Sequence, residues 1–203
     1  MLEGRWALLI VRDLLAGPKR FGELQEGLPG IPTNVLTARL RELEEADVVG
    51  RRLLPRGVGY ELTAYGRQLE DPLVRLGLWG ARKLETREDD FFSVHSLALG
   101  LRGAFRPDKA RDRDGDYELR IGGQVLHVSI VDGRASFASE NDTAPDVVME
   151  TDPDGIYRLL TGRLRLDQAV ATGRARVSGS SRAANRFFQM FRLPSDSQPL
   201  ESP

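Results

Sequence analysis

Over residues 5–63 the spacing of apolar residues changes period once, from helical to strand-like, and this change constrains the fold more than any other feature. Trp6, Leu9, Ile10, Val11, Leu14 and Leu15 fall on one broad helical face. Gly17-Pro18 ends that helix, because glycine suits a C-cap and proline cannot continue the hydrogen-bond ladder. Lys19-Arg20-Phe21-Gly22-Glu23-Leu24 starts a short second helix with Phe21 and Leu24 inward, and Leu28-Pro29-Gly30-Ile31-Pro32 breaks it. Residues 33–47 read as a third helix, whose buried stripe is Leu36, Leu40 and Leu43 at i, i+4 and i+7. Residues 48–54 then read as a strand, 55–59 as a turn and 60–63 as a returning strand.

A short helix, a turn, a longer helix and a hairpin make a helix-turn-helix with a wing. Thr33, Asn34, Thr37, Ala38 and Arg41 fall away from the leucine stripe, several toward the leading end of the third helix. Asparagine pairs with adenine edges, arginine with guanine, and threonine bonds or touches a thymine methyl, so this face suits major-groove reading. The polar face of any amphipathic helix has the same pattern, and the hairpin is what favours DNA. Arg51, Arg52 and Arg56 lie there with no acid between Val48 and Tyr60, and would supply a local phosphate contact. The alternative is a solvated hairpin with incidental arginines. Lys19 and Arg20, at the start of the second helix, complete the candidate DNA-binding set.

Charge does not announce this partner. The net charge is −1; residues 1–88 carry 14 basic against 13 acidic side chains, and the rest 15 against 17. Any DNA binding must rest on placement rather than on total charge. The 203 residues contain no cysteine, which removes disulfides, thiolate metal sites and thiol redox sensing, and only two histidines, His95 and His127. No apolar run is long enough to span a membrane, and the first five residues, with an acid at Glu3, lack the form of a signal peptide. A cytoplasmic protein is expected.

The motifs in the first 84 residues resemble the HxlR family of bacterial and archaeal winged-helix regulators, related to the MarR group. They are residues 6–13, 19–24, Pro29-Gly30-Ile31, Leu36-Thr37 with Arg39-Leu40, Glu42-Leu43-Glu44, Tyr60-Glu61-Leu62-Thr63 with Gly66, and Leu76 with Trp79-Gly80. The resemblance implies a homodimer on a roughly two-fold symmetric operator of double-stranded DNA. Family members usually carry further residues before this point, often with a cysteine and a dimer-contacting helix, so a truncated or misassigned start is expected. Pro32 stands where the family often has serine, which leaves Thr33 to cap the third helix. From Ala64 to roughly Arg87 a last helix is expected, kinked or restarted at Pro72; its Leu69, Leu73, Leu76 and Trp79 stripe serves either the domain core or dimerisation.

Arg87-Glu88-Asp89-Asp90 reads as the domain junction, giving domains at 1–88 and 89–194 and a frayed tail at 195–203. The second domain reads as an entry helix, a charged loop over 107–116, then three or four antiparallel strands with turns at Gly122-Gly123 and Asp132-Gly133. Helices from Asp152-Pro153 and Asp167, a strand over 174–178 and a final helix capped by Ser180 or Ser181 follow, an α+β fold with helices covering the sheet. Asp132-Gly133, Pro145-Asp146-Val147, residues 159–162, 171–174 and 177–179, and Phe188 to Pro194 resemble the sterol carrier protein type 2 family over residues 96–194. That resemblance implies an apolar cavity walled by Leu126, Val128 and Phe137 from the sheet and by Ile156, Leu160, Phe187, Phe188 and Phe191 from the helices. Plain core packing explains the same phenylalanine spacing.

Catalysis and cofactors find no support in the residues. Asp112, Asp114 and Asp116 with Gly115 imitate the start of a calcium loop, but position 122, where the bidentate glutamate belongs, is glycine. His127 shares a strand face with Ser129, with no acid placed beside them. The expected protein is therefore a non-enzymatic, dimeric, DNA-binding transcriptional regulator modulated by a small hydrophobic effector in its second domain. The alternative is a lipid carrier whose winged helix serves protein interaction; a hydrophobic-substrate enzyme is a third reading.

Overall fold

The computed structural model describes residues 6–83, 93–138 and 143–194. The charged junction at 87–90 and the tail at 195–203 lie outside the described residues. Contacts divide the chain into two compact units, Met1–Arg75 and Leu76–Pro203.

In the first unit α1 (Ala7–Leu15) buries Ala7, Ile10, Val11 and Leu14, while Trp6 and Leu15 at the edge of the stripe are half-buried. Helix α2 (Phe21–Gly27) buries Leu24, and α3 (Thr33–Glu45) buries Leu36, Leu40 and Leu43 as its spacing predicts. These chains meet Leu28, Ile31, Val48, Val49 and Leu62 in one small core. The hairpin of β1 (Val49–Leu54) and β2 (Gly57–Leu62) is tighter than the glycines suggest: Leu54 pairs with Gly57, so Pro55-Arg56 alone makes the turn. Gly59, expected in the turn, lies inside β2, where a side chain would press on Leu54 and the Lys19 carbonyl. Lys19 and Tyr60 exchange backbone bonds of 2.9 and 2.8 Å, which tie the α1–α2 connection to the wing.

The last helical stretch is two helices, α4 (Ala64–Arg67) and α5 (Glu70–Ala81). The break falls before Pro72, which sits in the first turn of α5 where its missing N–H costs nothing. Thr63 caps α4 by accepting from the Gly66 N–H, and Gly66 must be glycine because a Cβ there would overlap the Val48 carbonyl.

The second unit takes in the end of α5 from Leu76 and continues with α6 (Val94–Ala104), capped by Ser93, and α7 (Pro107–Ala110), a short helix within the expected loop. Strands β3 (Gly115–Ile121), β4 (Gln124–Val131), β5 (Arg134–Ala138) and β6 (Val147–Thr151) follow. Then come α8 (Pro153–Thr161), α9 (Leu166–Ala171), β7 (Ala175–Gly179) and α10 (Ser181–Met190). The sheet order is β5-β4-β3-β6-β7. It is mixed rather than wholly antiparallel: β6 runs parallel to β3, because the chain crosses from the β5 edge past β3 before returning. One face (Tyr117, Leu119 and Ile121; Leu126, Val128 and Ile130; Val147 and Met149) is buried with the apolar sides of α6, α8 and α10. Asp152 and Ser180 cap α8 and α10 by accepting from the Gly155 and Ala183 N–H groups.

Candidate nucleic-acid interface and candidate ligand pockets

The leucine stripe of α3 turns Thr33, Asn34, Thr37, Ala38 and Arg41 to solvent, as helical spacing requires. Thr33 does not cap the helix. Pro32 occupies the N-cap without a side-chain bond, and Thr33 is the first helical residue. Its hydroxyl accepts instead from Gln25 Nε2 of α2 at 2.8 Å, which joins the two helices of the motif. Thr37 donates its hydroxyl to the Thr33 carbonyl at 2.8 Å. Asn34, exposed at the leading turn, makes no side-chain hydrogen bond to any described residue.

The basic candidates separate by what they already hold. Arg20 donates its backbone N–H (2.6 Å) and its guanidinium (2.8 Å) to Glu23, whose carboxyl is held down to about 2 chiefly by those bonds. Arg41 pairs with Glu45 at 2.9 Å. Arg51 reaches Glu44 through two nitrogens at 2.7 and 3.3 Å, and Arg52 reaches Glu61 at 2.9 Å. Arg56, at the two-residue tip, forms no hydrogen bond or ion pair with any described residue. It stands beside Leu53 and Val58, a cross-strand pair exposed at 82% and 57%. Exposed pairs of this kind are worth about 0–1 kcal/mol, so the paired arginines can exchange a carboxylate for a phosphate, but with less net gain than Arg56. Lys19 contributes its backbone to the wing and a half-buried side chain to the surface.

Of the eight apolar candidates in the second unit, Leu126, Val128, Ile156, Leu160, Phe187 and Phe191 are buried in one continuous core. Phe187 and Phe191 stack with ring centroids 4.5 Å apart, and Phe191 also touches Phe105 and Phe137. Phe137 and Phe188 are half-buried at its margin. Only Phe188 of these eight borders either of two open pockets on the unit. One, of about 350 Å³, lies among α8, α9 and α10 and includes Leu159, Leu164, Leu166, Phe188 and Arg192. The other, of about 570 Å³, lies at the sheet end by Gly122-Gly123 and is bordered by Arg120, Glu150, Asp152, Arg174 and Arg176; Arg120 and Arg174 are paired with Glu118 (2.6 Å) and Asp154 (2.8 Å).

Three features escaped the sequence reading. Glu44 and Glu61 neutralise two wing arginines, and Glu61 lies diagonally across the hairpin from Arg52. Glu118 stands directly across from His127, with Oε2 3.8 Å from Nδ1; the Gly122-Gly123 turn implies that register. Arg192 and its pocket had no signal, since α8 and α10 are brought together only by the tertiary fold. The aspartates at 112–116 gather no ligand set, and no group of three or more metal-ligating side chains occurs among the described residues. No helix among the described residues is long and apolar enough to cross a membrane.

Comparison with known proteins agrees with the geometry. Residues 1–88 match the HxlR-like helix-turn-helix family and residues 106–192 the SCP-2 sterol transfer family. An HTH-type transcriptional regulator of Synechocystis, sll1512, is 38% identical over 88 residues, covering 42% of this chain and 65% of its own length. YtcD of Bacillus subtilis, also an HTH-type transcriptional regulator, is 40% identical over 97 residues, covering 46% of this chain and 77% of its own. The solved reduced form of the regulator YodB from B. subtilis is 38% identical, covers 40% of this chain and 83% of that one, and superposes with a TM-score of 0.37. With an ordered helix-turn-helix, a tied wing and relatives of this identity and coverage, the chain belongs to the HxlR-like helix-turn-helix family, and its residues 106–192 are similar to the SCP-2 sterol transfer family.

Proposed function

We propose that this protein is a non-catalytic, dimeric transcriptional regulator that reads an operator in double-stranded DNA and is modulated by a small hydrophobic molecule bound in its second domain. The observation that carries the reading is the unpartnered pair Asn34 and Arg56, one at the leading turn of α3 and the other at the wing tip. Helix α3 enters the major groove, where Asn34 offers a donor and an acceptor to an adenine edge while Thr33, Thr37 and Arg41 line the same face. The wing lies along the backbone with Arg56 on a phosphate, Lys19 adds a contact, and Arg20, Arg51 and Arg52 add theirs by exchanging partners. Exposed Leu76 (50%) and Trp79 (64%), one helical turn apart on α5, support a second copy packing there. The effector acts only by binding two DNA-reading states unequally, so it must change the dimer contact or the connection near residue 87.

A mobility shift across salt tests this on DNA flanking the gene. A steep salt dependence and loss of affinity in Arg56→Ala are expected. Unchanged affinity in that variant removes the wing from the interface.

A second reading, a carrier of hydrophobic molecules whose winged helix binds protein, is favoured by one observation: the sterol-transfer match spans nearly as much of the chain as the helix-turn-helix match. Absence of any preferred DNA sequence would select it.

A further inference from the structure

We infer that the outer face of α10 is a second contact for double-stranded DNA, made to the sugar-phosphate backbone without regard to sequence. This rests on the reading that the protein binds DNA, and it extends that partner to the second unit. Charge is segregated along this part of the chain. Residues 168–195 carry five arginines, Arg174, Arg176, Arg182, Arg186 and Arg192, and no acid, in a chain whose net charge is −1. The fold gathers part of that charge on one surface. Helix α10 turns Ala183, Ala184, Phe187 and Met190 into the core, which leaves Ser181, Arg182, Asn185 and Gln189 exposed on its other side. Arg192 borders the open pocket that Asn185 and Gln189 also line. Arg113 reaches the face from the loop before β3, donating Nη1 to Gln189 Oε1 at 3.1 Å.

These cations are uncompensated. The side chains of Arg182 and Arg192 form no hydrogen bond or ion pair with any described residue. Arg113 forms no ion pair with any described residue either, although Asp112 and Asp114 flank it in sequence. Asp167, which borders the same pocket, is held by Arg165 through bonds of 3.0 and 2.9 Å. Arg186, one turn from Arg182, lies beside Tyr117 with its Nε buried, so it adds charge rather than a contact. Elsewhere in the unit Arg120, Arg158 and Arg174 each hold a carboxylate. From Arg182 to Gln189 the helix rises about 10 Å, the axial length of about three phosphates on one strand. Forked guanidinium groups with amides between them suit phosphate oxygens in such a row. An anionic membrane would meet the same charge, but helices that bind a membrane surface keep apolar side chains to insert. Apart from the half-buried Phe188, those of α10 are in the core.

The test is fluorescence anisotropy of the full chain on a labelled duplex of arbitrary sequence, titrated across salt, for the wild type and a variant combining Arg113→Gln, Arg182→Gln and Arg192→Gln. That variant should reduce the salt slope by about two to three and weaken binding at least about tenfold, equally for every sequence. Lysine at the same three positions should keep the wild-type slope, which separates lost charge from lost packing. An unchanged slope in the glutamine variant overturns the assignment; if Arg56→Ala still weakens binding, the winged-helix reading stands without it. Loss of slope in the glutamine variant, with no effect of Asn34→Ala or Arg56→Ala, supports the α10 contact and removes the winged-helix reading. A lysine variant that loses the slope as fully as the glutamine one overturns the assignment. So does arginine-dependent binding to phosphatidylglycerol vesicles with no change in the DNA slope, which gives the face to a membrane. A wild type that binds no duplex overturns both readings.

Discussion

The two units treat their working surfaces in opposite ways. On the first, polar side chains face water, and most of the arginines are already occupied by Glu23, Glu44, Glu45 and Glu61. On the second, the residues that looked like binding walls are withdrawn into a packed aromatic core, and the accessible space lies beside it. Residue type alone therefore overstates the site in both. An arginine counts fully toward DNA only when no carboxylate holds it, and a phenylalanine counts toward a pocket only when packing leaves it a free edge.

The largest test of this contrast is Phe187→Ala. If the ring is core, its removal should destabilise the second unit by about 3–5 kcal/mol, read by urea unfolding, with operator binding preserved at low denaturant. A loss under about 1 kcal/mol would mean the ring merely lines a void. Next in size, Arg56→Ala should lower operator affinity by about tenfold and reduce the salt slope by about one, whereas Arg52→Ala should cost about two- to threefold because Glu61 already competes for it. Equal losses in anisotropy titrations would erase the distinction between paired and unpaired arginines.

Two smaller tests use pH. Asp13 is fully buried in α1, and burial raises its carboxyl above the ordinary 3.8, opposed by Arg12. The folded state then holds a proton that the unfolded chain has released, so stability should fall as pH rises from about 3.8 through the folded value. Asp13→Asn should flatten that fall in melting temperature against pH, and an unchanged slope would assign it elsewhere. Glu23 has the opposite sign: held down to about 2, it contributes stability above its ordinary 4.5 that is lost as pH falls toward 2. Because the pair with Arg20 is exposed, Glu23→Gln should change the acid limb only slightly.

Much of the first unit was legible because local rules and tertiary packing agree there. The Leu36, Leu40, Leu43 stripe fixes which face of α3 is buried, and therefore which residues can meet DNA. The hairpin turn was misplaced because Gly57 and Gly59 look like turn residues, whereas Gly59 is required by the close approach of the Lys19 backbone. Thr33 failed as a cap because its hydroxyl serves Gln25, a partner eight residues back that no capping rule involves. In the second unit the strands follow from alternation and the glycine turns, but the parallel β3–β6 pairing is a long-range choice without a local signal. Burial of Phe187 and Phe191 was compatible with either core or cavity, since spacing states which face points inward and not whether space remains there.

The proposed reading of a specific DNA sequence rests on unpaired groups at α3 and the wing tip. It is tested most directly by fluorescence anisotropy on labelled DNA flanking the gene, competed with unlabelled bulk DNA, for the wild type, Asn34→Ala and Arg56→Ala. A site that outcompetes bulk DNA by at least about a thousandfold is expected, with loss of that preference in Asn34→Ala and a roughly uniform loss of affinity for all DNA in Arg56→Ala. A wild-type protein for which no sequence outcompetes bulk DNA would contradict it.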